Sequence, residues 1–252
     1  MCVFRAAVAA GICGSATLSG INTFTGKTTV SAGTLILAAG SSLASTEINL
    51  GTSGQGTLDV KALSGGGITI GAGQTLSGYG TLEGNTTIAS GGTFAPGNSP
   101  GIIGITGDLT LNTGSTSIFE VAAGVAGVGF DQVNVSGALT YGGELKLDIT
   151  GSFNTTTNAF QDYLFNFGSQ TGAFSSVKYS LNGSSWSDLT YYSANNTWQI
   201  WNNSALTLGA DNGYIGINLD TGRLTVVPEP STYALFGQGA LVMIVAYRRK
   251  VA

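Results

Sequence analysis

Histidine is missing from this chain of 252 residues, and both cysteines, Cys2 and Cys13, lie within the first thirteen positions. Without histidine there is no imidazole general base, no Ser-His-Asp relay and no histidine-bound zinc. With no cysteine beyond Cys13, the body has neither a disulfide framework nor a thiolate metal site. We therefore expect no metal, no cofactor and no catalytic residue. Charge is scarce too. Only 9% of residues are charged, against roughly 25% in ordinary soluble domains, so the polar surface has to come from Ser, Thr, Asn and Gly. Three of the nine basic residues are Arg248, Arg249 and Lys250, which leaves six against thirteen acidic residues. No basic face remains for phosphates, and this excludes nucleic-acid binding. Proline is rare, at 4 residues, whereas glycine reaches 40. That balance fits many tight turns and neither collagen nor a proline-rich linker.

What is present is a succession of short strand patterns. From Thr17 to about Val135, apolar residues alternate with Thr and Ser in pieces punctuated by Gly. Thr28 to Leu37, Ile68 to Leu76 and Thr86 to Phe94 each read as a short strand, a glycine turn and a Thr-apolar pair opening the next strand. Leu35 and Leu76 are 41 positions apart, and Leu76 and Phe94 are 18 apart. A unit of roughly 18–20 residues accounts for both, as expected where each coil of a solenoid is one supersecondary unit. Stacking such units would bury Val30, Leu35, Ile70, Leu76, Ile88 and Phe94 in one column. The expected fold is all-β, a right-handed parallel β-helix. An antiparallel β-sandwich stands as the alternative.

The organisation expected is fourfold. Residues 1–16 are either a weak secretory signal, with Arg5, an apolar run to Cys13 and an exit at Ala16, or the remnant of a chain whose start lies upstream. Ile12 is too bulky for the small residue that usually precedes a lipidated cysteine. Residues 17–130 carry the β-helix repeats. Residues 131–226 form a β-rich C-terminal part that caps the open end. Its strand patterns include Leu145 to Ile149, where Lys146 and Asp148 face away from the apolar side, and an aromatic stretch from Trp186 to Trp201. Residues 227–252 stand apart.

That last segment opens with Val227, Pro228, Glu229, Pro230 and Ser231. Two prolines around one residue stop sheet pairing and force an extended chain. An uncharged apolar run follows, with Tyr233, Ala234, Leu235 and Phe236, then Leu241, Val242, Met243, Ile244, Val245, Ala246 and Tyr247. About 15 helical residues span ~22 Å, short of a ~30 Å hydrocarbon core. Flanking aromatics and the cluster Arg248, Arg249 and Lys250 make up part of the difference by interfacial anchoring. The basic cluster places the C-terminus inside the cell.

Motifs of catalytic appearance fare poorly. Gly97-Asn98-Ser99-Pro100-Gly101 has the spacing of a nucleophile elbow, but no base exists to activate Ser99 and Pro100 opposes the helix that should follow. Gly78-Tyr79-Gly80 opens like a dinucleotide loop, with Glu83 where the third glycine belongs. Asp108, Glu120, Asp131, Glu144 and Asp148 are candidates for polysaccharide chemistry, but they read as single acids on different rungs. The aromatic stretch either stacks on sugar rings or fills the core of a cap.

Two stretches resemble known families. Leu18 to Leu35 and Gly91 to Gly101 resemble the autotransporter-associated β-strand repeat, which implies a parallel β-helical passenger-type stalk. The order Val227-Pro228-Glu229-Pro230, apolar run, Arg248-Arg249-Lys250 resembles the PEP-CTERM sorting signal. That resemblance implies an exosortase-type membrane protease as partner, with Glu229 as a recognition element. It also implies an inner-membrane precursor and delivery to the surface or matrix of a Gram-negative-type bacterium, often linked to exopolysaccharide. No translocator barrel follows the repeats, so a self-sufficient autotransporter is excluded. The reading that results is a non-enzymatic, structural or adhesive exported protein. An extracellular carbohydrate-binding module and a β-helical polysaccharide-active enzyme remain as alternatives.

Overall fold

The computed structural model describes residues 8–97, 100–122, 125–150, 160–181, 183, 185–203 and 213–228. These residues form β1 (Val8–Leu18), β2 (Ile21–Asn22), β3 (Thr28–Leu37), β4 (Ser42–Leu43), β5 (Glu47–Asp59), β6 (Gly67–Ile70), β7 (Thr75–Glu83) and β8 (Asn85–Ile88). Then come β9 (Thr93–Pro96), β10 (Ile102–Ile105), β11 (Leu109–Leu111), β12 (Thr116–Val121), β13 (Gln132–Tyr141), β14 (Glu144–Ile149), β15 (Phe160–Tyr163) and β16 (Phe165–Gly172). The last are β17 (Ser176–Ser180), β18 (Ser187–Asp188), β19 (Thr190–Tyr192), β20 (Thr197–Asn203), β21 (Gly213–Asn218) and β22 (Arg223–Pro228). The chain is all-β. Among the described residues, no helix is long and apolar enough to cross a membrane.

Most of these strands join one sheet whose pairings are parallel, apart from the antiparallel β17–β18 pair. The antiparallel sandwich is therefore not what residues 28–180 form. Three ladders run through the sheet. One stacks the first halves of β3, β5 and β7 and then β9, β12, β14 and β17. A second stacks Leu35, Leu58, Leu82, Ile105, Val135 and Phe167 in register. The third puts Thr69, Thr87, Thr110, Thr140 and Thr171 side by side. The ladders continue well past residue 131, to Ser180.

Strict alternation explains why these strands lie as they do. In β12 and in β14, every second residue is buried, as a strand with one face on the core requires. Val30, Leu35, Ile70, Leu76, Ile88 and Phe94 are all buried, as expected from the sequence. Burying such a side chain contributes ~1.5–3 kcal/mol. Leu76 pairs with Phe94, and Ile70 with Ile88. Leu35 and Leu76 lie in different ladders, so their 41-residue separation is not a stacking repeat. The repeat is not a constant 18–20 residues either. Partners are 18 positions apart at Thr75↔Thr93 and 32 apart at Glu144↔Ser176. Register is kept by the strands, while the connections lengthen outside the ladders.

Close backbone approach sets the glycines at two points. A Cβ at Gly56 would overlap the carbonyl oxygen of Val30 on the neighbouring turn of chain. Gly97 combines a φ of +96° with a Cβ position already taken by the Asp131 carboxylate.

A second sheet of five strands, in the order β15-β22-β21-β20-β19, is antiparallel throughout. Its inner face carries Ile215, Ile217, Leu224 and Val226, all fully buried. It is joined to the parallel ladders where the amide N–H groups of Leu164 and Phe165 donate to the Gly222 carbonyl at 3.0 and 3.2 Å. An aromatic chain fills the core beside that joint. The Phe119 ring lies 4.7 Å from Phe165, Phe165 lies 5.4 Å from Tyr141, and Tyr141 lies 5.1 Å from Phe174.

Candidate functional site

The acids singled out in the sequence do not all sit alone. A groove of about 390 Å³ on the outside of the first ladder is lined by Glu47, Ser77, Pro96, Gly97, Glu120 and Asp131 among others. Asp131 is 1% exposed. Its two oxygens accept the backbone N–H groups of Gly101 at 2.8 Å and Glu120 at 2.7 Å. Burial pushes its carboxyl from the usual 3.8 up to about 7; those two N–H groups oppose the shift and the Glu120 charge adds to it. Glu120 also lies in register with Asp148 on the next strand. The expectation of isolated acids is thus corrected for Glu120, Asp131 and Asp148, which the fold gathers from β12, the start of β13 and β14. Asp131 is a staple: almost wholly buried, it ties the backbone of Gly101 to that of Glu120 in β12. A general acid has to reach its substrate, and this carboxyl is closed off by the backbone it binds.

The remaining acids are engaged in structure. Glu47 holds Lys27 at 2.8 Å and accepts the Ser77 hydroxyl at 2.8 Å. Burial raises its pKa, but these partners outweigh burial and leave it below the ordinary value. Glu144 sits between Lys146 at 3.3 Å and Lys178 at 3.2 Å, with the same balance and the same direction. Asp108 accepts the Ala138 N–H at 2.8 Å. Among the described residues no three His, Cys, Asp or Glu side chains converge on a metal position.

The other motifs fall as follows. Asn98 and Ser99 of the elbow-like stretch lie outside the described residues. Gly78, Tyr79 and Gly80 are part of β7, with no helix after them. Of the C-terminal signal, Val227 and Pro228 are the last residues of β22, where their backbones face Tyr214 and Gly213. Pro228 thus closes the strand one residue later than the proline rule suggests. Glu229, Pro230, Ser231, the apolar run from Tyr233 to Tyr247 and Arg248, Arg249 and Lys250 lie outside the described residues.

The aromatic half resolves into two kinds of residue. Trp198 packs on the core, 5.2 Å from the Tyr191 ring, and Trp186 lies under the Lys146 ammonium at 5.4 Å. Tyr163 and Tyr192, 43% and 45% exposed, stand on the solvent side. In the sequence, Tyr163 and Arg223 are no more than members of two separate strand patterns. The fold brings them together, with the guanidinium carbon 5.8 Å from the Tyr163 ring centre. They are sixty positions apart, and β15 and β22 pair antiparallel, which no local pattern announces. Compared with known proteins, the chain matches no family model and no curated protein.

Proposed function

We propose that this chain is an exported, non-enzymatic surface or matrix protein of structural or adhesive type, sorted through its C-terminal Pro-Glu-Pro signal. Its body is a right-handed parallel β-helix with an antiparallel β cap. The observation that carries the reading is the order of motif, apolar run and basic cluster in Val227 to Lys250. Three further points support it. The stacked ladders give a stiff body whose units bury their apolar face only against neighbours. The outside of these ladders is mostly uncharged, as in the row Thr69, Thr87, Thr110, Thr140 and Thr171. The Asp131 carboxylate is tied up by two backbone N–H groups, and the chain has no histidine.

The strand β22 runs into the motif itself. Four residues, Glu229 to Thr232, connect it to the apolar run, and at full extension they reach no more than ~14 Å. In the precursor, the folded body therefore stands close to the membrane surface. An exosortase-type protease would read Glu229 there, with the prolines limiting the entropy lost on binding. Glu229→Ala is expected to leave folding intact and to hold the precursor in the inner membrane with Lys250 still attached. Fractionation of a host carrying the matching protease tests this. Processing and release at the normal rate would refute the role given to Glu229.

A further inference from the structure

We infer that the outer face of the antiparallel sheet binds an acidic glycan, a chain of pyranose rings bearing carboxylates. This goes beyond the sorting reading and does not depend on it. Along each strand, side chains alternate between faces. Trp198, Ile217 and Leu224, in register with one another, point to the core. The residues on either side of them therefore point the other way. Those residues form two rows that cross all five strands. The first is Tyr192, Thr197, Asn218, Arg223 and Tyr163. Thr197 is only 4% exposed, and it and Asn218 are hydrogen-bonded to each other and to the Asn195 carbonyl, so the tyrosines and Arg223 are the groups this row offers a ligand. The second is Thr190, Gln199, Gly216, Thr225 and Gln161.

The two exposed tyrosines close the ends of the first row, four strand spacings or ~19 Å apart. Aromatic rings at that separation offer platforms for the apolar faces of two sugar rings within one short oligosaccharide. In the second row Thr190, Thr225 and Gln161 carry no charge, and Gly216 keeps its centre low. Arg223 sets the sign of the ligand. The described lysines are all paired: Lys27 with Glu47, Lys61 with Asp59 and Glu83, and Lys146 and Lys178 with Glu144. Among the described residues Arg223 makes no ion pair, and its Nε is buried without a hydrogen-bond partner. A guanidinium held beside a ring and lacking an anion presents a fork that matches a carboxylate. A neutral chain would leave it unmatched, and a nucleic acid would need several more cations than this face carries.

The test is calorimetric titration of the full-length chain in detergent with hexamannuronate and, in parallel, with the neutral laminarihexaose. Wild type is expected to bind the uronate chain at least tenfold more tightly. Arg223→Gln should remove that preference. Tyr163→Ala and Tyr192→Ala should each weaken uronate binding at least fivefold, whereas Tyr192→Phe should restore it, which separates the ring from any folding effect. Equal wild-type affinity for the two hexasaccharides, no uronate binding at millimolar concentration, or full binding by the Tyr163→Ala, Tyr192→Ala double variant would each overturn the inference. Export and processing do not enter this assay, so its failure leaves the sorting proposal standing and is distinguishable from failure of that proposal.

Discussion

Phe119→Ala is expected to cost about 3–5 kcal/mol of stability, a large share of the ~5–15 kcal/mol that holds a typical domain folded. The ring is fully buried. It stands 6.2 Å from Phe94 and 4.7 Å from Phe165, which belong to different ladders. Its backbone is in register with Leu147 on β14, so the strand cannot shift to fill the space without breaking that pairing. The cavity therefore stays open, and the lost contacts are not recovered. Thr110→Ala on the outer row removes a half-exposed hydroxyl with no such packing and should change stability by less than about 0.5 kcal/mol. Urea denaturation followed by tryptophan fluorescence compares the two. A loss for Phe119→Ala no larger than that for Thr110→Ala would show that the ladders do not share one core.

Acidification from pH 8 to pH 5 is expected to stabilise the fold through Asp131. The folded state holds this proton with a pKa of about 7, against the usual 3.8. The folded chain thus binds more protons than the unfolded chain between those two values. Stability from this group is present in acid, falls as pH rises through the window, and is gone above about 7. By linkage the difference from pH 8 to pH 5 is about 2–3 kcal/mol. Glu47 and Glu144 act in the opposite direction. Both are held below the ordinary 4.5, so their contribution is lost only as the medium becomes more acidic than this window. Asp131→Asn should flatten the slope between pH 5 and pH 8. It should also lower stability overall, because an amide has one acceptor oxygen for the two N–H groups of Gly101 and Glu120. Urea midpoints across this pH range measure both effects. An unchanged slope in Asp131→Asn would remove Asp131 as the source.

The apolar column was readable because alternation is a local property. Leu145, Leu147 and Ile149 fall on one side whichever strands lie next to them, and they are buried. Which strands lie next to them was not readable. The offset between partners depends on connection lengths that leave no trace in the strand pattern, as Ile105↔Val135 shows by pairing in register across thirty positions. The role of Asp131 was hidden for the same reason. Its partners are 30 and 11 positions away and are backbone N–H groups, which every residue but proline possesses. Tyr163 and Arg223 meet only because two antiparallel strands close across sixty residues. The sorting signal, in contrast, is a linear pattern and needs no fold to be recognised.

The central claim is that the chain leaves the cell after losing its C-terminal segment. The most direct measurement is the mass of the protein recovered from the cell exterior, with its C-terminal peptide identified. The account predicts an extracellular body that retains β22 and lacks Arg248, Arg249 and Lys250. Recovery of the chain only from inside the cell, still ending at Ala252 in a host with the matching protease, would contradict it.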